Sequence, residues 1–442
     1  AMPAWRDAEA ALQSDQPLLE YVRHSGSMVT DVLSGRTSAL ESLFPDGSFE
    51  LAERLYHRST LLRYVNGIAA VAASTYADRV AADRTLRVLE VGAGTGGTTA
   101  PLLRALPQDR TTYTYTDVSD IFLDFAATRF GDTPFLRTAL FDLEKEPEGQ
   151  GFAAGSQDIV VAANVIHAAR DIRKAVERVK RLLAPGGMLL LVESTGHHPW
   201  HDITTGLIEG WQHFEDELRT DTPLLTPQQW NTLLSEAGFE DVAALPTAGS
   251  PAEILKQHVL IARAPAAAAT ATVASTTQSA PVTPPERRQV HVAPSPAPVT
   301  GAQEASEVVR QIAQAPAEER EEIAASLVRD VVMAVLRSDP NRPPSRDARL
   351  LDLGLDSLMA VRLRNQLQKK LGLREALPST LVFDYPTIRH IAKLIVKRAV
   401  PDQAVVPEQP TAAEAAPPDL ASMSDAEVEA MLLKRLESEA SA

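Results

Sequence analysis

Between residues 264 and 305 the chain runs through APAAAATATVASTTQSAPVTPPERRQVHVAPSPAPVT, a stretch of Ala, Pro, Thr and Ser with almost no apolar periodicity. Such a segment cannot bury enough surface to offset the entropy of ordering it, so it reads as a flexible linker. It forces the chain into at least two separately folded bodies. A second break spans residues 400–418. The expected division is a helical subdomain over 1–85, a core over 86–263, a small domain over 306–399 and a C-terminal element over 419–442. With 442 residues, 44% of them hydrophobic, there is material for two or three cored domains.

Composition removes several classes of function. The formal net charge is −15, which disfavours a nucleic-acid binder, because phosphate neutralisation needs clustered Lys and Arg. There is no cysteine, so disulfides, thiolate catalysis and Cys-based metal sites are excluded. No apolar run approaches the roughly 20 residues that span a bilayer, and AMPAWRDAEAAL is not a secretory signal. No nucleic-acid or membrane partner is expected, and a cytoplasmic location is.

Residues 5–85 show apolar positions at helical spacing through LLEYVRHSGSMVTDVL and LLRYVNGIAAVAAS. From Leu86 the period changes. LRVLEVGAG, TYTYTDVS, QDIVVAANVI and GGMLLLVES read as apolar strands, and DIRKAVERVKRLL reads as an amphipathic helix. Strands alternating with helices predict a parallel, doubly wound α/β sheet, whose ligand sits at the carboxyl ends of the strands.

The first strand ends in Glu90 and runs into Gly92-Ala93-Gly94-Thr95-Gly96-Gly97. Glycines there permit a tight strand-to-helix turn with φ > 0 and let a ligand approach the backbone. A lone G-x-G-x-G also occurs in dinucleotide sites and plain turns. Asp117 closes the next strand, where a carboxylate can accept hydrogen bonds from both ribose hydroxyls. Asp142 follows the third strand, a place to meet an adenine amine or to be a solvated loop acid. His167 follows the fourth strand by a few residues and Glu193 ends the fifth. The two could meet across the top of the sheet, where a carboxylate would fix the tautomer of an imidazole base. His197, His198 and His201 lack acids at metal spacing except Asp202, so they read as loop residues and no metal is expected.

The pattern E-V-G-A-G-T-G-G with Asp117 resembles class I methyltransferases. ANVIHAARDI, LLAPGGMLLLVEST and GLIEGW…PLLTPQQWNTLLSEAGF resemble the methyltransferase domains embedded in polyketide synthases, and LSGRTSALESLFPDGSFELAERLY resembles their lid. The resemblance implies a Rossmann-like core with an N-terminal helical lid. It implies S-adenosylmethionine as cofactor, held by Glu90, Gly92, Gly94, Gly96, Asp117, Asp142 and Asn164, and His167 with Glu193 as the catalytic pair. The acceptor would be the α-carbon of a β-keto thioester, with a β-hydroxyl oxygen close behind. The family often has two tryptophans where this chain has Trp211-Gln212, at the expected pocket mouth.

The segment DLGLDSLMAVRLRNQL, followed by LPSTLVFDYPTIRHIAKLI, places Ser357 at the start of an amphipathic helix. A serine there is ordinarily a cap. The G-L-D-S-L-M run and FDYPT resemble acyl carrier proteins, which implies a small all-α four-helix domain bearing 4′-phosphopantetheine on Ser357. A phosphopantetheinyl transferase, the acyl thioester on the chain's own carrier domain and neighbouring synthase domains would be its partners. SDAEVEAMLLKRLES reads as a helix with a Ser424/Glu427 capping box and an apolar stripe of Val428, Met431, Leu432 and Leu436. It would dock a downstream subunit or remain a frayed acidic tail. Two competing expectations are a silent methyltransferase scaffold beside a working carrier, and an N-methyltransferase of a peptide synthetase.

Overall fold

The computed structural model describes residues 15–266 except 209, and residues 307–399 except 337, 339–341, 373–376 and 379. Both expected linkers (save 264–266) and the expected C-terminal docking helix lie outside the described residues. Seven strands form one sheet in the order β3-β2-β1-β4-β5-β7-β6. They are β1 Leu86–Val91, β2 Thr111–Asp117, β3 Leu136–Leu140, β4 Gln157–Ala163, β5 Leu183–Ser194, β6 Glu240–Leu245 and β7 Gln257–Arg263. Strands β1 to β5 pair in parallel, and β7 runs antiparallel to both β5 and β6.

The run Ile159-Val160-Val161-Ala162 is wholly buried, as expected of a central strand covered on both faces. Helix Ile172–Leu182 covers one face. Its buried positions, Ile172, Ala175, Val176, Val179 and Leu182, recur at helical spacing, and the Asp171 side chain caps it at Lys174 N. The chain winds outward from β1 to β3 and then returns to β4 beside β1. That reversal opens a crevice at the carboxyl ends of β1 and β4.

The lid comprises helices Gln16–Leu33, Glu50–Arg58 and Thr60–Ala77. One buried carboxylate joins two of its helix starts. Asp15 Oδ1 accepts from Leu18 N, while Oδ2 accepts from Ser59 Oγ and Thr60 N, both at 2.9 Å. The carrier region is all-α. Helix Glu307–Gln314 precedes Ala317–Leu336, Ser357–Leu371, Leu381–Asp384 and Ile388–Ala399. Its core includes Val328, Val332, Leu363, Leu367, Ile391 and Ile395. Among the described residues no helix is long and apolar enough to cross a membrane.

Candidate active site

A cavity of about 480 Å³ occupies the crevice, walled by Gly92, Gly94, Asp117, Asp142 and Asn164 and roofed by Phe44 of the lid. Gly92, Gly94 and Gly96 have φ of 61°, 57° and 74°, left-handed backbone that only glycine adopts cheaply. A Cβ on Gly92 would fall 2.4 Å from Val165 Cγ2, so absence of a side chain is required there twice over. A Cβ on Gly97 would stand 2.9 Å from Tyr56 Cβ and 3.1 Å from the Tyr56 carbonyl oxygen, so the lid also packs tightly against the turn.

Asp117 is buried at this wall. Its Oδ2 accepts from Gly94 N at 3.0 Å and its Oδ1 from Ser119 N at 3.2 Å. Burial pushes its carboxyl above the ordinary aspartate range, and the backbone donors oppose that shift. Further donors from a bound diol would stabilise the ionised form. Thr95 Oγ1, buried in the same wall, lacks a partner among the described residues. Asn164 adopts φ 52°, and its Oδ1 accepts from Ser194 N and Gln257 Nε2. The Asp142 carboxylate accepts from Glu144 N and lies 3.0 Å from Lys145 Nζ. Orphaned hydroxyl, buried carboxylate and open glycine turn together suit a ribose-bearing cofactor.

A second cavity of about 340 Å³ adjoins the first and shares Leu43, Tyr56, Leu62, Asn164 and Ala168 with it. His167 stands in its wall, in a short 3-10 turn after β4. Its Nδ1 lies 2.6 Å from Glu193 Oε2, and Glu193 is fully buried at the end of β5. Glu193 Oε1 accepts from Ile166 N and Val165 N, which ties the carboxylate to the turn that carries the histidine. A carboxylate only accepts, so Nδ1 carries the proton and Nε2 is left as the basic nitrogen. Arg219 donates to the His167 carbonyl at 2.7 Å and pins the turn from outside.

Several wall residues have no motif to announce them. Tyr56 comes from the lid, and burial raises its phenol pKa. His201 was expected to be a loop residue; instead it is 3% exposed in the second cavity. Burial, then His198, His197 and His167, hold it down to about 4, so its ring is neutral at physiological pH. His198 N donates to its Nδ1, which places the proton on Nε2. Trp211 stacks edge-on against His167 at 5.3 Å, while Gln212 is exposed and lines neither cavity.

Glu90 does not reach either cavity wall. It is fully buried beneath the glycine turn, where Oε2 accepts from Thr99 Oγ1 and Tyr113 Oη, both at 2.6 Å. Burial pushes its carboxyl from 4.5 up to about 7. The folded state thus binds the proton more tightly than the unfolded chain. The resulting stabilisation is full below about 4.5 and disappears as pH rises through about 7. Between these limits the chain should lose on the order of 3 kcal/mol more stability than a Glu90→Gln variant. Urea denaturation of both proteins at pH 4.5 and pH 8 measures the difference, and parallel profiles would refute it.

In the carrier region Asp356, not Ser357, caps the helix Ser357–Leu371. Asp356 Oδ1 accepts from Met359 N at 2.7 Å. Ser357 is the first helical residue and is exposed, so its hydroxyl is spared for modification.

Residues 89–189 match the family model described as "Methyltransferase domain", and residues 326–395 match "Phosphopantetheine attachment site". The chain is 29% identical over 405 residues to polyketide synthase PksR of Bacillus subtilis (strain 168), covering 89% of this chain and 15% of that one. It is 32% identical over 410 residues to polyketide synthase ThaG of Burkholderia thailandensis, covering 88% and 7%. The chain thus spans a small part of these relatives' length. Among solved structures it is similar to the CurJ carbon methyltransferase, with TM-score 0.57 and 36% identity over 60% of this chain and 71% of that one. The DszA carbon methyltransferase gives TM-score 0.54 and 31% identity over 60% and 69%.

Proposed function

This chain belongs to the methyltransferase domains of polyketide synthases and carries a phosphopantetheine attachment domain in the same polypeptide, and on that premise we propose that it methylates an acyl chain tethered to its own Ser357. The observation that carries this reading is the buried His167–Glu193 pair in a cavity that adjoins the glycine-turn crevice. S-adenosylmethionine, bound by the glycine turn, Asp117 and Asn164, supplies an electrophilic methyl group. Asp117 would accept from the ribose hydroxyls, and Glu90 would act indirectly by holding Thr99 under the turn.

The acceptor is the α-carbon of a β-ketoacyl thioester, as the similarity to two carbon methyltransferases favours. His167 Nε2 takes the α-proton and the C–H electrons pass into the enolate; its α-carbon would accept the methyl as the S–CH3 bond breaks, with that bond's electron pair staying on the cofactor's sulfur. Glu193 stabilises the imidazolium formed by this transfer. The neighbouring neutral His201 and the indole of Trp211 keep that cavity uncharged and mostly apolar, which suits an acyl chain. A phosphopantetheinyl transferase loads Ser357, neighbouring synthase domains supply and remove the chain, and the whole works in the cytoplasm.

The test loads Ser357 with a β-ketoacyl phosphopantetheine, adds S-adenosylmethionine and follows the mass of the arm. A methyl replacing a hydrogen should appear, and fragmentation should place it on the α-carbon. A methyl on oxygen with a β-hydroxy chain would move the acceptor to the β-position and leave His167 as base. Methylation of aminoacyl chains alone would point to nitrogen. No gain on any of these chains would overturn the reading and leave a silent scaffold.

A further inference from the structure

The start of the carrier helix Ser357–Leu371 rests on lid segment 41–49 and on the turn after β2, through three contacts of different chemistry. Arg364 Nη1 meets Glu41 Oε1 at 2.5 Å, and both side chains are nearly buried, 11% and 12% exposed. The guanidinium of Arg362 lies 4.9 Å above the Phe49 ring. Ser119 Oγ donates to Asp356 Oδ2 at 2.6 Å, while the other oxygen of Asp356 still caps the helix. Phe49 is backed by Phe44, Phe122 and Phe125, with ring centroids 5.6, 5.2 and 4.9 Å away. Phe44 and Phe122 also wall the cofactor crevice, and Ser119 follows Asp117 by two residues. Ser357 stays exposed, so this seating leaves the attachment oxygen open.

We propose that Glu41, Phe49 and Ser119 form the methyltransferase's recognition face for the acyl carrier domain, and that Arg362 and Arg364 are the positions by which it tells its own carrier from others. This deepens the reading of a carrier-tethered acceptor and rests on it. The division of labour follows from the chemistry. Asp356 belongs to the D-S-L attachment motif itself, so its bond to Ser119 registers a carrier of any kind. The two arginines lie outside that motif, one and two helical turns further on, and meet an anion and an aromatic face. A carrier with neutral or acidic residues at these positions takes the guanidinium of Arg364 away from the nearly buried Glu41 and replaces attraction there with neutrality or repulsion. Neither Glu41 nor Phe49 lines either of the two cavities described above, so the face can be altered without touching the chemistry.

Two experiments on the full chain test this. First, single-turnover methylation of the Ser357-tethered chain is compared with methylation of a soluble β-ketoacyl N-acetylcysteamine thioester. E41R and R364E should each slow the tethered reaction about tenfold or more, the double reversal should recover most of the rate, and the soluble thioester should react unchanged. Singles that match the unaltered chain, or a double variant no better than either single, would overturn the proposal. If the unaltered chain methylates neither substrate, the catalytic reading fails instead.

Second, a readout independent of catalysis uses the absence of cysteine from the sequence. A Cβ on Gly47 would stand 3.0 Å from Arg362 Cγ and 4.0 Å from its Cα, within disulfide reach. G47C with R362C should oxidise at least about tenfold faster than G47C with R389C, since Arg389 pairs with Asp347 inside the carrier. Equal rates would count against this seating whatever the enzyme's activity.

Discussion

Replacing His167 with alanine should slow methyl transfer about a thousandfold while leaving cofactor affinity unchanged. The separation of effects follows from the two cavities. His167 walls the second and not the first, whose glycine turn, Asp117 and Asn164 are untouched by the substitution. Glu193→Gln is the sharper version. The Gln amide oxygen can still accept from Ile166 N, which turns its NH2 group toward His167 Nδ1. An amide donor there drives the ring proton to Nε2, and the basic nitrogen is lost although the geometry survives. Turnover should fall at least about a hundredfold, and His167→Ala/Glu193→Gln together should cost no more than the worse single change, because the two residues act as one unit. Calorimetry for cofactor binding and mass spectrometry of the acyl arm measure the two halves. Unchanged turnover in His167→Ala would remove the base from the mechanism.

What could be read from the sequence follows the range of the forces involved. The glycine turn and the D-S-L run are local. Each is set by the backbone conformation of a few consecutive residues, so each could be located before any tertiary contact was known. The His167–Glu193 meeting is only slightly longer in range. β4 and β5 are parallel neighbours, and residues just past their carboxyl ends must approach one another. Glu90 marks where that logic stops. It sits near a strand's carboxyl end, as Asp117 does, and the register even puts it on the same face, since Glu90 pairs with Tyr115 two residues before Asp117. What removes it from the cavity is tertiary: Thr99 Oγ1 and Tyr113 Oη engage its carboxylate beneath the turn. Tyr56 and His201 had no legible signal, because they reach the site only when the lid and the segment after β5 fold over it. The cap at Asp356 likewise depends on which of two adjacent side chains reaches Met359 N, and a propensity for Ser or Asp cannot choose between them.

Gly92→Ala should destabilise the chain by about 2–5 kcal/mol, whereas Gly94→Ala should cost only about 1–2 kcal/mol. Both residues have left-handed backbone, so both variants carry the same strain of an L-residue at positive φ. They differ in what the new methyl meets. At position 94 nothing stands within 4 Å, and the group occupies open space. At position 92 it would lie 2.4 Å from Val165 Cγ2 and 3.0 Å from Val165 Cβ, so the whole side chain must move. Val165 cannot yield alone. Its N–H donates to Glu193 Oε1, and its carbonyl accepts from Ala168 N across the turn that holds His167. A shift there disturbs the catalytic pair as well as the cofactor wall. Gly92→Ala should therefore lower stability, cofactor affinity and turnover together, while Gly94→Ala should weaken cofactor binding in a protein that remains well folded. Urea denaturation read beside calorimetric titration separates the cases. Equal unfolding free energies for the two variants would mean that Val165 relaxes freely, and that the link between the glycine turn and the His167 turn is not mechanical.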